Sequence, residues 1–282
     1  MKHIILAAAL LLTTSAVRSQ TDINVDISDE KKKYSVSIGS DGIKAGKKAD
    51  GKKEESQFEL QYGMVDLGYN RIHDRGEQSP IVAFGDPKTH SATWGIEGPY
   101  DYLPLRESKS VNVNVYPVMA KLRLSAVKRE VQNFYLTTGV GLQMYNFRFD
   151  DVYNFTDEPT VRLEDYSSLN LRKNKLGFTF LSVPLGILGK TRLGEKATLV
   201  YSAGMMGGYR LASWTKFKTG SGDKIKNHDN FAFQDFNACA TAEIGVDGIL
   251  RLYATYQLTP LHMSSTGLDQ RPFCIGVRFL GL

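Results

Sequence analysis

Residues 273–279 read Phe-Cys-Ile-Gly-Val-Arg-Phe, and residues 250–258 read Leu-Arg-Leu-Tyr-Ala-Thr-Tyr-Gln-Leu. In the first stretch Phe273, Ile275, Val277 and Phe279 share one face, while Cys274, Gly276 and Arg278 share the other. In the second, Leu250, Leu252, Ala254, Tyr256 and Leu258 alternate with Arg251, Tyr253, Thr255 and Gln257. Side chains on a strand point alternately to its two faces, so this period specifies half-exposed β-strands. Two more stretches repeat it. Phe236, Ala238, Ala240, Ala242 and Ile244 stand against Asn237, Cys239, Thr241, Glu243 and Gly245; Phe134, Leu136, Val140, Leu142 and Met144 stand against Tyr135, Thr137, Gly139, Gly141 and Gln143.

Alternation alone fits a soluble barrel or sandwich with the apolar face inward as well as a membrane barrel with it outward; the composition of the polar face tips the balance to the membrane. That face is rich in Gly, Ser, Thr, Asn and Tyr rather than Lys and Glu. A strand surface bathed in water carries more charge, whereas a narrow lumen needs small residues. The apolar face is therefore expected to meet lipid. Eight stretches of strand character are present, at 57–70, 109–124, 132–147, 174–187, 196–211, 232–246, 249–258 and 271–280. Every odd-numbered connection between them is longer than every even-numbered one. In an up-and-down meander this gives one trimmed end and one elaborate end, as in barrels with short periplasmic turns and longer external loops. The expected fold is all-β: an eight-stranded antiparallel up-and-down transmembrane β-barrel.

Breaks in phase mark irregularities. The outward face slips by one residue after Met64 and again at Pro117. Proline cannot donate to a ladder, so Pro117 and Pro184 are expected to mark bulges. Phe178 and Phe180 are out of phase with Leu181, Val183 and Leu185. Aromatic belts are expected at both interfaces: Phe58, Phe134 and Phe279 at the trimmed end, and Tyr69, Tyr145, Phe147, Tyr209, Trp214, Phe231 and Phe233 at the elaborate end.

Ahead of the strands, Lys2 and the apolar run Ile4–Leu12 form a secretory signal, with Val17 and Ser19 before a cut at Gln20. The organisation read from this is a signal peptide over 1–19, a Lys-rich periplasmic arm over 20–56 and an outer-membrane barrel over 57–282. The arm carries short alternations at Ile23/Val25/Ile27 and Tyr34/Val36/Ile38. Its charge predicts a solvated leader with at most a transient hairpin. Basic and acidic side chains nearly balance, 35 against 30, so no nucleic-acid partner is indicated. Cys239 and Cys274 are placed on next-but-one strands, beyond disulfide reach, and are expected as free thiols.

Several short motifs resemble the PorT-like outer-membrane barrels of Bacteroidetes, which share the architecture of the OmpA and OmpX membrane domains. They are Ser182-Val183-Pro184-Leu185, Tyr201-Ser202-Ala203-Gly204 with Gly207-Gly208-Tyr209, Leu252-Tyr253-Ala254-Thr255-Tyr256 and the tail Ile275-Gly276-Val277-Arg278-Phe279. The chain departs from that group at Ser182, where Glu is common, and in ending Phe279-Leu280-Gly281-Leu282. The resemblance implies a cell outer-membrane location, with outer-membrane lipid, the barrel-insertion machinery and envelope or secretion proteins as partners.

An eight-stranded barrel is just wide enough for side chains to fill it. The inward charged residues Glu59, Asp66, Lys121, Arg123, Arg210, Glu243, Arg251 and Arg278 are expected to plug the lumen as an ion-pair network. A small pore is the alternative reading. A lipid-modifying enzyme is the next, and it needs a base within reach of a hydroxyl. The histidines are His73, beside Asp74; His90; His228; and His262, near Ser264, Ser265 and Asp269; no spacing among them enforces a triad. No metal set, phosphate loop or cofactor motif is present, so no cofactor is expected and no enzyme is read. Binding is expected on the external loops, with Trp94, Tyr100, Tyr102, Tyr153 and Tyr166 as candidate contacts.

Overall fold

The computed structural model describes the backbone of 23–29, 32–39 and 42–48, and residues 57–279 apart from 76–80, 83–102, 126–128, 151–152, 157–161, 195–196, 249 and 267. Eight long strands form the wall: β1 (Phe58–Asp74), β2 (Val111–Arg123), β3 (Gln132–Phe149), β4 (Lys173–Arg192), β5 (Thr198–Lys218), β6 (Phe236–Val246), β7 (Leu250–Gln257) and β8 (Gln270–Phe279). Each pairs antiparallel with its neighbours in sequence, and β8 pairs with β1 from Gln270↔Asp74 to Phe279↔Val65. The sheet closes into an eight-stranded antiparallel up-and-down transmembrane barrel with no free edge in its wall.

The wall faces as its alternation requires. Val140, Leu252 and Ile275 are each half or more exposed on the outside, while Gln143, Tyr253 and Cys274 are buried inside. Among the described residues no helix is long and apolar enough to cross a membrane, and the outward band is apolar all round: Leu67, Val118, Leu136, Val183, Met205, Ile244 and Ile275 among others. This matches the lipid-facing belt of a membrane barrel.

Strand irregularities fall partly where expected. At Pro117 the β2–β3 register shifts between Val115 and Val118, so Pro117 and Val118 both turn outward. Gly63, opposite, takes a positive φ of 66°, which lets β1 slip its phase beside it. Pro184 makes no bulge. Ser182↔Gly141 and Leu185↔Thr138 hold one register, so the missing proline donor only opens the ladder locally. The bulge on this side of the barrel lies elsewhere, between Thr179 and Phe180 against β5, where Leu211 is skipped. Phe178 and Phe180 are out of phase with Leu181, Val183 and Leu185, as the sequence reads, but the strand itself is regular there on its β3 side. With Leu176 and Ser182 they form the continuous inward set of β4, opposite the outward Leu181, Val183, Leu185 and Ile187.

The expected leader is corrected. Strands Ile23–Asp29, Lys32–Gly39 and Gly42–Lys48 form an antiparallel meander. Its register sets Ile23 opposite Ile38, Val25 opposite Val36 and Ile27 opposite Tyr34, so the two alternations found in the sequence are cross-strand partners. The third strand pairs with β1 from Ile43↔Leu60 to Ala45↔Phe58, continuing the sheet below the point where β8 ends.

Candidate functional site: the lumen and its outer cap

Inward positions of β1, β6, β7 and β8 bring four of the expected charges together. Arg278 donates from Nε and Nη2 to the two carboxylate oxygens of Asp66 at 2.7 and 2.9 Å, and from Nη1 to Glu243 Oε2 at 2.5 Å. Arg251 Nη1 donates to Glu243 Oε1 at 2.8 Å and its Nη2 to Asp247 Oδ1 at 2.7 Å. Lys190 Nζ completes the chain on Asp247 Oδ2 at 2.6 Å. The charges run Asp66, Arg278, Glu243, Arg251, Asp247, Lys190, alternating in sign and summing to zero. Arg251 and Arg278 are direct cross-strand partners, an arrangement that repels unless an anion sits between them; Glu243 does. Burial opposes ionisation of the Asp247 carboxyl, yet Lys190 and Arg251 hold it below the usual carboxylate range.

The arginine guanidinium of Arg278 lies 5.4 Å from the Tyr116 ring and 5.8 Å from the Tyr253 ring, in cation–π range. Tyr253 donates to Asn112 Oδ1 at 2.9 Å, and Asn114 donates to Asp66 Oδ2 at 3.3 Å. The facing glycines Gly68 and Gly276 make room for Tyr253: a Cβ on Gly276 would stand 2.2 Å from the Leu67 carbonyl oxygen and 2.7 Å from the Tyr253 ring. Cys239 and Cys274 are both free and buried.

The other expected lumen residues lie apart from this chain. Lys121 is buried, its Nζ without a hydrogen-bond partner among the described residues, and half-buried Glu59 faces it across the β1–β2 ladder. A cavity of about 50 Å³ lies beside Lys121, Met64 and Arg251, polar and roomy enough to hold water. Arg123 donates to the Ser125 carbonyl at 3.1 Å near the trimmed end. Arg210 lies at the opposite end, on Asp235 at 2.7 Å and Asn230.

Towards the elaborate end the lumen turns apolar. Tyr145, Phe147, Phe149, Leu176, Phe178, Phe180, Phe231, Phe233, Leu261 and Leu268 form one buried cluster. Tyr145, Phe147, Phe231 and Phe233 therefore do not belong to the outer belt, as their residue type suggested; at 0–1% exposure they close the barrel from within. Of the expected belt residues, Phe58, Phe134, Phe279, Tyr69 and Tyr209 are exposed outside and Trp214 is half-buried there.

His262 joins this cap. Its ring packs on Phe155 and Phe233 at 5.2 and 4.7 Å, and its Nδ1 meets the Phe231 carbonyl at 3.1 Å. Burial pushes its pKa down to about 3, against hydrogen bonds from Phe231 and Gln270 that favour the proton. Ser264 and Ser265 are exposed, and Asp269 holds Arg271 at 2.7 Å, so the three do not assemble around the imidazole. His73 meets the Tyr256 hydroxyl at 2.9 Å, and exposed His228 lies beside Trp214. Among the described residues no His, Cys, Asp or Glu group is placed to hold a metal ion. Trp94, Tyr100, Tyr102 and His90, and the side chains of Asp74 and Tyr153, lie outside the described residues; Tyr166 packs on Phe217 at 4.4 Å.

No family model matches the chain, and no curated protein matches it. Among solved structures it is similar to Ail, the attachment invasion locus protein of Yersinia pestis, both alone and in complex with the heparin analogue sucrose octasulfate. Identity is 10% in each case, over 78% of this chain and 98% of Ail, with TM-scores of 0.26 and 0.28. The strand pairing among the described residues sets the fold: an eight-stranded barrel with an apolar exterior.

Proposed function

We propose that the chain is a non-enzymatic component of the outer membrane, of the PorT-like kind found in Bacteroidetes. In this reading its barrel is plugged, and it acts through its external loops, or as an accessory of an envelope or secretion assembly. The single observation that carries the reading is the double closure of the lumen, by an electroneutral ion-pair chain in the lower half and an aromatic cluster above it. A conducting pore needs a continuous aqueous path, and side chains fill this one. A lipid-modifying enzyme needs a nucleophilic hydroxyl beside a base and a third group to orient that base; His262 is buried away from Ser264 and Ser265, and the hydroxyl beside His73 is the phenol of Tyr256. In this reading residues 1–19 direct export and are removed before Gln20, and the tail 273–279 serves the barrel-insertion machinery.

The test is conductance of the purified, folded protein in planar bilayers. The expected result is no stable single-channel current; discrete reproducible openings refute the plugged barrel. Crosslinking in the native envelope then separates a lone barrel from an assembly subunit.

A further inference from the structure

Above the lipid-facing band, the outer ends of β4 and β5 and the added strand Lys224–His228 form a three-stranded patch on the barrel wall. Its register stacks lysines in two rows. Lys175 pairs with Lys216, which pairs with Lys226; Lys173 pairs with Lys218, which pairs with Lys224. Cross-strand partners point to the same face, so six ammonium groups share one side of this sheet. The other side is the buried one, holding Asn174, Leu176, Thr215 and Phe217. The lysines therefore look outward, sideways from the wall.

Like charges placed opposite one another destabilise a sheet, and none of the six forms an ion pair with a described residue. The row directly below names the level. Trp214 lies between Gly177 and His228, and Lys226 Nζ sits 4.8 Å over its ring. A Cβ on Gly177 would stand 2.5 Å from that ring, so the glycine seats the indole flat on the wall. Below Trp214 come the exposed Leu211, Tyr209 and Met205. Along β5 the outer face thus passes from aliphatic to aromatic to cationic, the order of acyl chain, interface and headgroup. The lysine rows stand about 7 and 13 Å beyond Trp214 along the strand.

We propose that this lysine grid binds the phosphate groups of lipid headgroups in the outer leaflet around the barrel. The outward aspect of the grid and its continuity with the lipid-facing band favour a laterally placed lipid over a soluble polyanion arriving from above. The proposal rests on the barrel's membrane orientation but not on its plugged lumen, so the conductance result does not bear on it.

The test uses the full-length folded protein in neutral-lipid nanodiscs, with folding checked by the mobility shift of unboiled samples. Bis-phosphorylated lipid A, its dephosphorylated form and a soluble sulfated oligosaccharide are each titrated. The variant carries K173Q, K175Q, K216Q, K218Q, K224Q and K226Q, and a companion carries arginine at the same positions. Phosphorylated lipid A is expected to bind wild type and the arginine variant at least about tenfold tighter than the glutamine variant, with affinity falling as salt rises. Equal binding to wild type and the glutamine variant overturns the proposal. So does lysine-dependent binding of the sulfated oligosaccharide alone.

Discussion

Glu243 is the anion that lets Arg251 and Arg278 occupy facing positions, and Glu243→Gln is the sharpest test of the lumen. The substitution keeps the shape and removes the charge. It weakens two charge-assisted hydrogen bonds, at 2.8 and 2.5 Å, each worth about 1.5–3 kcal/mol. It also leaves two buried guanidinium groups opposed across the β7–β8 ladder, and breaking a buried pair from one side costs about 3–5 kcal/mol. The expected loss is about 4 kcal/mol, read as a fall in the urea midpoint for reversible folding into lipid vesicles followed by tryptophan fluorescence. Arg251→Gln in the Glu243→Gln background should cost less than Arg251→Gln alone, because the repulsion it relieves exists only there. If Glu243→Gln unfolds within about 0.5 kcal/mol of wild type, the chain of ion pairs is decoration and the reasoning fails.

Three more outcomes follow from the same interior. His262 is held neutral in the cap while the unfolded chain protonates near pH 6.5; because the folded value is the lower one, stability is full above that pH and falls as pH drops from about 6.5 towards 3. Proteolysis of the external segments should accelerate across that window in wild type and lose the dependence in His262→Leu. Gly276→Val drives a side chain into the Leu67 carbonyl and the Tyr253 ring and should abolish the folded band on unboiled gels, whereas Gly207→Ala, with open space at its Cβ, should leave it intact. Cys239 and Cys274 should resist a water-soluble maleimide in the folded barrel and label fully in urea; labelling of the folded protein would mean the lumen admits solvent.

The alternation of β3, β6, β7 and β8 made the barrel legible, because parity on a closed wall is a direct record of what each face meets. Residue type misleads where it disagrees with parity. Tyr145 and Phe147 share the parity of Tyr135 and Gln143, so they had to point inward; assigning them to the belt followed residue type instead. Phe178 and Phe180, out of phase with Leu181, Val183 and Leu185, record an inward apolar face. An apolar inward face was not anticipated, yet it is what closing a lumen above the bilayer requires. Lys190 and Asp247 lie beyond the alternation that marks the strands: the apolar pattern of β4 fades after Ile187, although the strand runs to Arg192, and Asp247 lies in a turn. Lys190 has the inward parity of Leu188 and was within reach of a longer strand. The paired lysine rows needed the register of three strands, which no single stretch of sequence carries.

The length of the central strands has a mechanical consequence. β4 and β5 contain 20 and 21 residues, whereas about 9–11 tilted residues cross a bilayer. At roughly 3.3 Å per residue β4 runs about 66 Å, and at a tilt near 45° it rises about 47 Å, some 20 Å more than the apolar band of about 25 Å. The outer ends of β4 and β5, with the 18-residue β3 beside them, thus stand as paired strand, whereas β6, β7 and β8, at 11, 8 and 10 residues, have no such excess. Whatever docks against those strand ends would meet a surface already in place, and little of its docking energy would go into arresting motion.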